Sequence, residues 1–198
     1  MPRIIAFSGK MGSGKSEAVK ILQGLLGTHR VHLLKFAQPL YDIQDFIQER
    51  LSMPYEKDRK LLQWLGTDWG KAKNPAIWAN LWKQSLSFIK HRDKLSAIVC
   101  DDCRFEDEAE VVKEHGGIIV HIDASRETRS LRISVEGEEH ASESGISTEY
   151  YDYVIDNNMS REDLEDSIKA ILAREGIRCL GGSIPNSADQ SVQLDSSR

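Results

Sequence analysis

Cysteine is scarce in this chain: Cys100, Cys103 and Cys179 are the only ones among 198 residues. An odd number without framework spacing excludes a disulfide-stapled fold and points to a reducing compartment. Cys100 and Cys103 form a lone C-x-x-C. With no second pair and no nearby histidine pair to complete a zinc site, both read as structural. Long apolar runs are missing as well. No stretch approaches the ~18 consecutive apolar residues of a membrane span, and MPRIIAFSG has too short an apolar run for a signal peptide. The expectation is a soluble cytoplasmic protein with no membrane partner. A basic surplus is also absent, since 26 Lys and Arg stand against 31 Asp and Glu, a net charge of −5. That argues against a protein that coats nucleic acid, which needs a basic surface field. A small phosphate ligand is a different matter, because a few converging cations are enough for it.

Hydrophobic residues make up 40% of the chain and charged residues 29%, an ordinary globular balance. At a soft prior of roughly 150 residues per domain the chain is one domain with a core that needs no staples. Arg3 to Ser8 reads as a buried strand, Val31 to Phe36 as a second, and Ala97 to Asp101 as a central parallel strand. Ile118 to Ile122 and Tyr153 to Ile155 complete five. Helical spacing predicts helices over 17–26, 38–51, 58–69, 77–89, 106–115, 125–133 and 160–173. Strands alternating with helices imply a parallel sheet covered on both faces. From Gly181 onward the chain is rich in Ser, Asp and Gln and reads as a disordered tail. There is no internal repeat.

The strongest chemical signal is Gly9-Lys10-Met11-Gly12-Ser13-Gly14-Lys15-Ser16, a full G-x-x-x-x-G-K-[ST] between an apolar strand and an amphipathic helix. Glycines let backbone N–H groups turn around phosphate oxygens, and the helix N-terminus adds its positive dipole end. Lys15 is expected on the β- and γ-phosphates of a nucleoside triphosphate and Ser16 on Mg²⁺. Asp101 and Asp102 close the AIVC run at the same sheet edge, where Asp101 would face the metal through water.

Arg126, Arg129 and Arg132 recur every third residue on a predicted helix, so one face is expected to carry three guanidiniums. The functional reading is a lid over about 126–148 that closes on the transferring phosphoryl group; the alternative is a solvated charged face. Phe36, Trp64, Trp69 and Trp78 read more often as core than as base-stacking groups. His140, Ser142 and Glu143 lack a nucleophile elbow, which excludes serine hydrolase chemistry.

Several further blocks carry a resemblance. They are Phe36-Ala37-Gln38-Pro39-Leu40, Leu62 to Lys71 (LQWLGTDWGK), and Asp101-Asp102-Cys103-Arg104-Phe105 with Glu108-Ala109. His140-Ala141-Ser142-Glu143 and Tyr151 to Ile155 with Asn157 follow in order, so that the set spans roughly residues 4 to 172. Together with the P-loop they resemble the bacteriophage-type deoxynucleoside monophosphate kinases, of the P-loop nucleoside monophosphate kinase group. The resemblance implies an α/β P-loop kinase fold over 1–176, with a five-stranded parallel sheet flanked by helices. It also implies a helical monophosphate-binding region at about 38–92 and a mobile lid. The implied reaction moves the γ-phosphoryl of ATP, with Mg²⁺, to a deoxynucleoside 5′-monophosphate in support of DNA synthesis.

Carried over by position, the resemblance puts Lys10, Phe36, Ala37, Trp69, Lys71, Asp102, Arg104, Glu143 and Tyr151 along the acceptor cleft. Arg104 would contact acceptor phosphate, Asp102 the sugar or the metal shell, and Tyr151 would stack on the base. The family commonly has arginine where this chain has Lys71, which keeps the charge and loses the bidentate fork; Arg59 and Lys73 are the substitutes. Two rivals stay open. One is another small-molecule kinase of the same fold, of the dephospho-coenzyme A kinase kind. The other is a nucleotide-binding regulatory ATPase; a GTPase is disfavoured because the order Asn-Lys never occurs. Which bases are accepted, and whether the chain forms a homodimer, the sequence leaves open.

Overall fold

In Ile4-Ile5-Ala6-Phe7 the side chains alternate across a strand that is buried on both sides. Ile5 and Phe7 enter one apolar cluster, while Ile4 and Ala6 enter another. A computed structural model describes residues 1–92, 94–133 and 145–180, together with the backbone at 192–193. It shows why that strand is central. The sheet has the order β2-β3-β1-β4-β5-β6, formed by β1 (Arg3–Ser8), β2 (Val31–Leu33), β3 (Ala97–Cys100), β4 (Ile118–Asp123), β5 (Tyr153–Asp156) and β6 (Val192–Gln193). The first five are parallel, and β6 adds an antiparallel edge to β5.

Helices cover both faces, as a parallel sheet requires. On one face α1 (Lys15–Leu26) and α7 (Arg161–Arg174) pack Leu22, Leu26, Ile168 and Leu172 against Val99, Val120 and Ile155. On the other, α4 (Ile77–Ile89) and α5 (Glu106–Glu114) pack Trp82, Leu86 and Val112 against Ile98 and Ile119. A satellite cluster of Leu40, Leu62, Leu65 and Trp78 joins α2 (Gln38–Arg50) and α3 (Arg59–Gln63) to α4. A further, seven-residue helix is α6 (Arg126–Arg132). The expected α/β P-loop kinase fold, with its five-stranded parallel sheet, is the fold observed.

Three local features differ from the sequence reading. The second strand stops at Leu33 instead of Phe36, because the Asp102 carboxylate accepts the N–H groups of Phe36 and Ala37 (3.0 and 2.9 Å) and draws the chain out of the sheet. The expected helix over 58–69 widens to π-helical winding at Trp64–Lys71. There Gly66 and Gly70 let Leu40 and the Trp78 ring approach the backbone, and Trp78 Nε1 donates to the Gly66 carbonyl (2.7 Å). Within the expected tail, Val192 and Gln193 pair with β5; its other residues, and 134–144 of the expected lid, lie outside the described residues.

Candidate active site at the carboxyl edge of the sheet

Parallel strands bring their carboxyl ends to one edge, and loops gather there where neighbouring connections diverge. The loop after β1 is Gly9 to Gly14, and α1 starts at Lys15. Beside it stand Lys35 and Phe36 after β2, Asp101 to Arg104 after β3, and Asn157 after β5. Gly9 and Gly14 have φ of +135° and +111°. A β-carbon would drive Gly9 into the Ile122 carbonyl and Gly14 into the Asn157 amide. Only glycine fits either place.

The carbonyls of this loop are held by side chains. Lys15 Nζ donates to the Gly9 and Lys10 oxygens (2.6 and 2.9 Å). Arg129 Nη1 donates to the Met11 oxygen (3.2 Å). Arg132 Nη1 reaches the Gly12 and Ser13 oxygens (3.3 and 3.4 Å), and Asn157 Nδ2 donates to the Ser13 oxygen at 2.7 Å. With its carbonyls engaged, the loop and the first turn of α1 present their N–H side, an arrangement that suits an anion. The Ser13 hydroxyl is buried there with no hydrogen-bond partner among the described residues.

Asp101 is 7% exposed. Its Oδ2 accepts from Ser16 Oγ and Lys35 Nζ, both at 3.2 Å, and Lys35 Nζ also lies 3.0 Å from Oδ1. That Oδ1 contact is an ion pair without hydrogen-bond geometry, so Oδ1 is a buried oxygen with no hydrogen-bond donor among the described residues. A hydroxyl and a carboxylate with a spare oxygen are hard donors of the kind Mg²⁺ takes, alongside water and phosphate. Burial disfavours the Lys35 ammonium, but the Asp101 and Asp102 carboxylates outweigh it and raise its pKa.

The three arginines differ in their surroundings. At about 100° per residue, positions 126 and 132 point about 120° apart. Arg126 is exposed. Arg129 is 3% exposed, with Nε on the Ala124 carbonyl (3.1 Å), and Arg132 also donates to the Asn157 oxygen (2.9 Å). Arg129 and Arg132 therefore stand against the phosphate loop, each donating to its carbonyls.

Several other expected cleft residues have partners within the fold. Phe36 is buried and stacked on Trp82, with ring centroids 4.9 Å apart, so it packs in the core. Tyr151 stacks on His121 (4.3 Å), and its hydroxyl donates to the Ile146 carbonyl. Asp102 clamps the 36–37 backbone and accepts from the Cys100 thiol as well. Lys71 meets both Asp107 oxygens (2.6 and 2.7 Å), donates to the Pro75 carbonyl and lies over the Phe105 ring. Ala37 is half-buried, while Lys10 and Trp69 are exposed; Glu143 lies outside the described residues. Arg104 is half-buried, and its backbone N–H donates to Glu108 Oε2 at 2.8 Å. Arg59 brings Nη1 to 3.0 Å from Met11 Sδ at the tip of the phosphate loop. Cys100 and Cys103 are buried, and desolvation pushes both thiols well up.

Sequence reasoning missed two participants. Asn157 reads naturally as the end of a strand, and nothing local marks it as a brace 144 residues from its partner. Lys35 carried a usable signal, since it follows a parallel strand at the edge that holds Asp101.

Comparisons with known proteins bear on the family and the fold. A protein of Acanthamoeba polyphaga mimivirus with the provisional name deoxynucleotide monophosphate kinase is 28% identical over 190 residues, covering 83% of this chain and 93% of its own. The tunicamycin resistance protein of Deinococcus radiodurans superposes with a TM-score of 0.56 at 16% identity, over 92% of this chain and 100% of that one. An unliganded sugar kinase from Janibacter sp. gives 0.55 at 14% identity, over 89% and 96%. These two likenesses speak to the fold alone. The family model for deoxynucleotide monophosphate kinase matches residues 42–168, from α2 to α7, and by that match this chain belongs to the deoxynucleotide monophosphate kinase family and is a kinase.

Proposed function

We propose that this kinase transfers the γ-phosphoryl of ATP to a deoxynucleoside 5′-monophosphate, giving the diphosphate. One observation carries the reading: side chains hold the carbonyls of Gly9, Lys10, Met11, Gly12 and Ser13, so the loop presents its N–H groups to a polyphosphate. Lys15 exchanges those carbonyls for the β- and γ-phosphates. Ser16 and Asp101 would hold Mg²⁺, which supplies charge neutralisation across the transferring phosphates. The transition state is loose, so positioning and charge stabilisation provide most of the catalysis. The attacking phosphate oxygen is already ionised at neutral pH, so no side chain has to serve as general base.

On the acceptor side, Lys71 is held by Asp107, while Arg59 reaches over the phosphate loop. Arg59 and Arg104 are therefore assigned to the acceptor phosphate, and Arg129 and Arg132 to the loop behind the donor. The test is a coupled assay of ADP release with ATP and Mg²⁺ across the deoxy- and ribonucleoside monophosphates. Turnover with at least one deoxynucleoside monophosphate is expected, and its loss in Lys15→Ala. Release of ADP with dephospho-coenzyme A alone, or at a slow rate that no monophosphate stimulates, overturns the reading.

A further inference from the structure

Asp101 places a carboxylate on the lip of a loop built for phosphates. A carboxylate there repels a polyphosphate unless a cation stands between them. Among the described residues one side chain cation touches it: Lys35, whose Nζ lies 3.0 and 3.2 Å from the two carboxylate oxygens. Lys35 and Asp101 come from adjacent parallel strands. The register pairs Leu33 with Val99, and the Leu34 N–H donates to the Val99 oxygen (2.8 Å), which carries both chains to the same edge. The Lys35 side chain is 26% exposed, so it is not locked in the core beside Asp101. Asp101 also keeps a buried oxygen without a hydrogen bond among the described residues, so Lys35 neutralises the carboxylate without saturating it there.

We infer that Lys35 is a built-in counter-cation for Asp101: it masks the carboxylate whenever Mg²⁺ is absent and gives it up to the metal that arrives with the nucleotide. The inference rests on the proposed seat of Mg²⁺ at Ser16 and Asp101. Its consequence is that metal-free nucleotide binds the phosphate loop unusually well for a site with a buried acid, and that Lys35 is the cause. Lys35 is thus a positioning residue, acting on nucleotide phosphates through Asp101.

Calorimetric titration of ADP into the full chain tests this directly, in excess EDTA and in saturating Mg²⁺. Lys35→Met is expected to weaken metal-free binding by about tenfold or more, the scale of one unscreened like charge close by. In Mg²⁺ the same variant stays within about threefold of wild type. Lys35→Arg is expected to keep the wild-type pattern in both buffers. The double variant Asp101→Asn, Lys35→Met recovers metal-free binding, because the repelling charge is gone. Equal weakening in both buffers overturns the inference, since Lys35 then contacts phosphate directly. So does no change in either buffer, or a double variant as weak as Lys35→Met. If Lys35→Met fails to fold, Lys35→Gln carries the same comparison. Failure of wild type to bind ADP in Mg²⁺ overturns the proposed function itself, a separate outcome.

Discussion

Glu108 is 4% exposed, and its carboxylate accepts the backbone N–H groups of Arg104 and Phe105 (2.8 and 3.2 Å). Burial is the dominant influence and outweighs those hydrogen bonds, raising its pKa from 4.5 to about 8. Between those two values the unfolded chain has given up the proton that the folded chain keeps. Stability therefore falls as pH rises across that window. Glu108→Gln keeps an acceptor for both N–H groups and removes the titration, so the variant is expected to lose that downward slope. Denaturant unfolding at a series of pH values between 5 and 8 reads it, and a slope unchanged from wild type refutes it. Arg104, whose backbone Glu108 holds, is expected to matter for the acceptor: Arg104→Ala should raise KM for the monophosphate well above any change in KM for ATP. Steady-state kinetics with each substrate varied in turn separates the two.

The π-helical stretch Trp64–Lys71 shows how an element is set by its neighbours. Its LGTDWG residues look like the middle of an ordinary helix. Yet a β-carbon on Gly70 would come within 2.6 Å of the Trp78 ring and 2.7 Å of the Leu65 oxygen. Gly70→Ala is therefore expected to cost about 1–3 kcal/mol, the usual range for overpacking, read as a lower denaturation midpoint with an unchanged m-value. A neutral result would mean that Trp78 can move aside. The strands and most helices were legible in the sequence, because apolar runs and 3.6-residue spacing are local properties. The early exit of β2 was not, since Asp102 enforces it across the sheet from 65 and 66 residues away. For α6 the sequence leaves burial open. A repeat of three arginines fixes their spacing on the helix, and the neighbours decide which of them are buried.

For the whole molecule, a net charge of −5 coexists with a loop designed for anions. The cations that matter are held close: Lys15 and Arg129 are buried, and Arg132 donates to three carbonyls of the loop and the β5 exit. Little of that charge projects as a surface field, so the chain is expected not to shift duplex DNA in a gel at physiological salt. A shift under those conditions would contradict the small-ligand reading. Among the described residues no helix is long and apolar enough to cross a membrane.

What the sequence by itself determined is the phosphate loop, the parallel sheet beneath it and the family, because glycine spacing, strand periodicity and block order survive as one-dimensional pattern. What only the tertiary structure decided is the employment of the charged groups around that loop. Arg129 and Arg132 brace it, Lys71 is spent on Asp107, Asp102 holds a turn, and Lys35 covers Asp101. The reason is physical. A hydrogen bond or ion pair is made to whichever partner lies within about 3 Å, and distances that short between residues up to 144 positions apart are set by the folded chain alone.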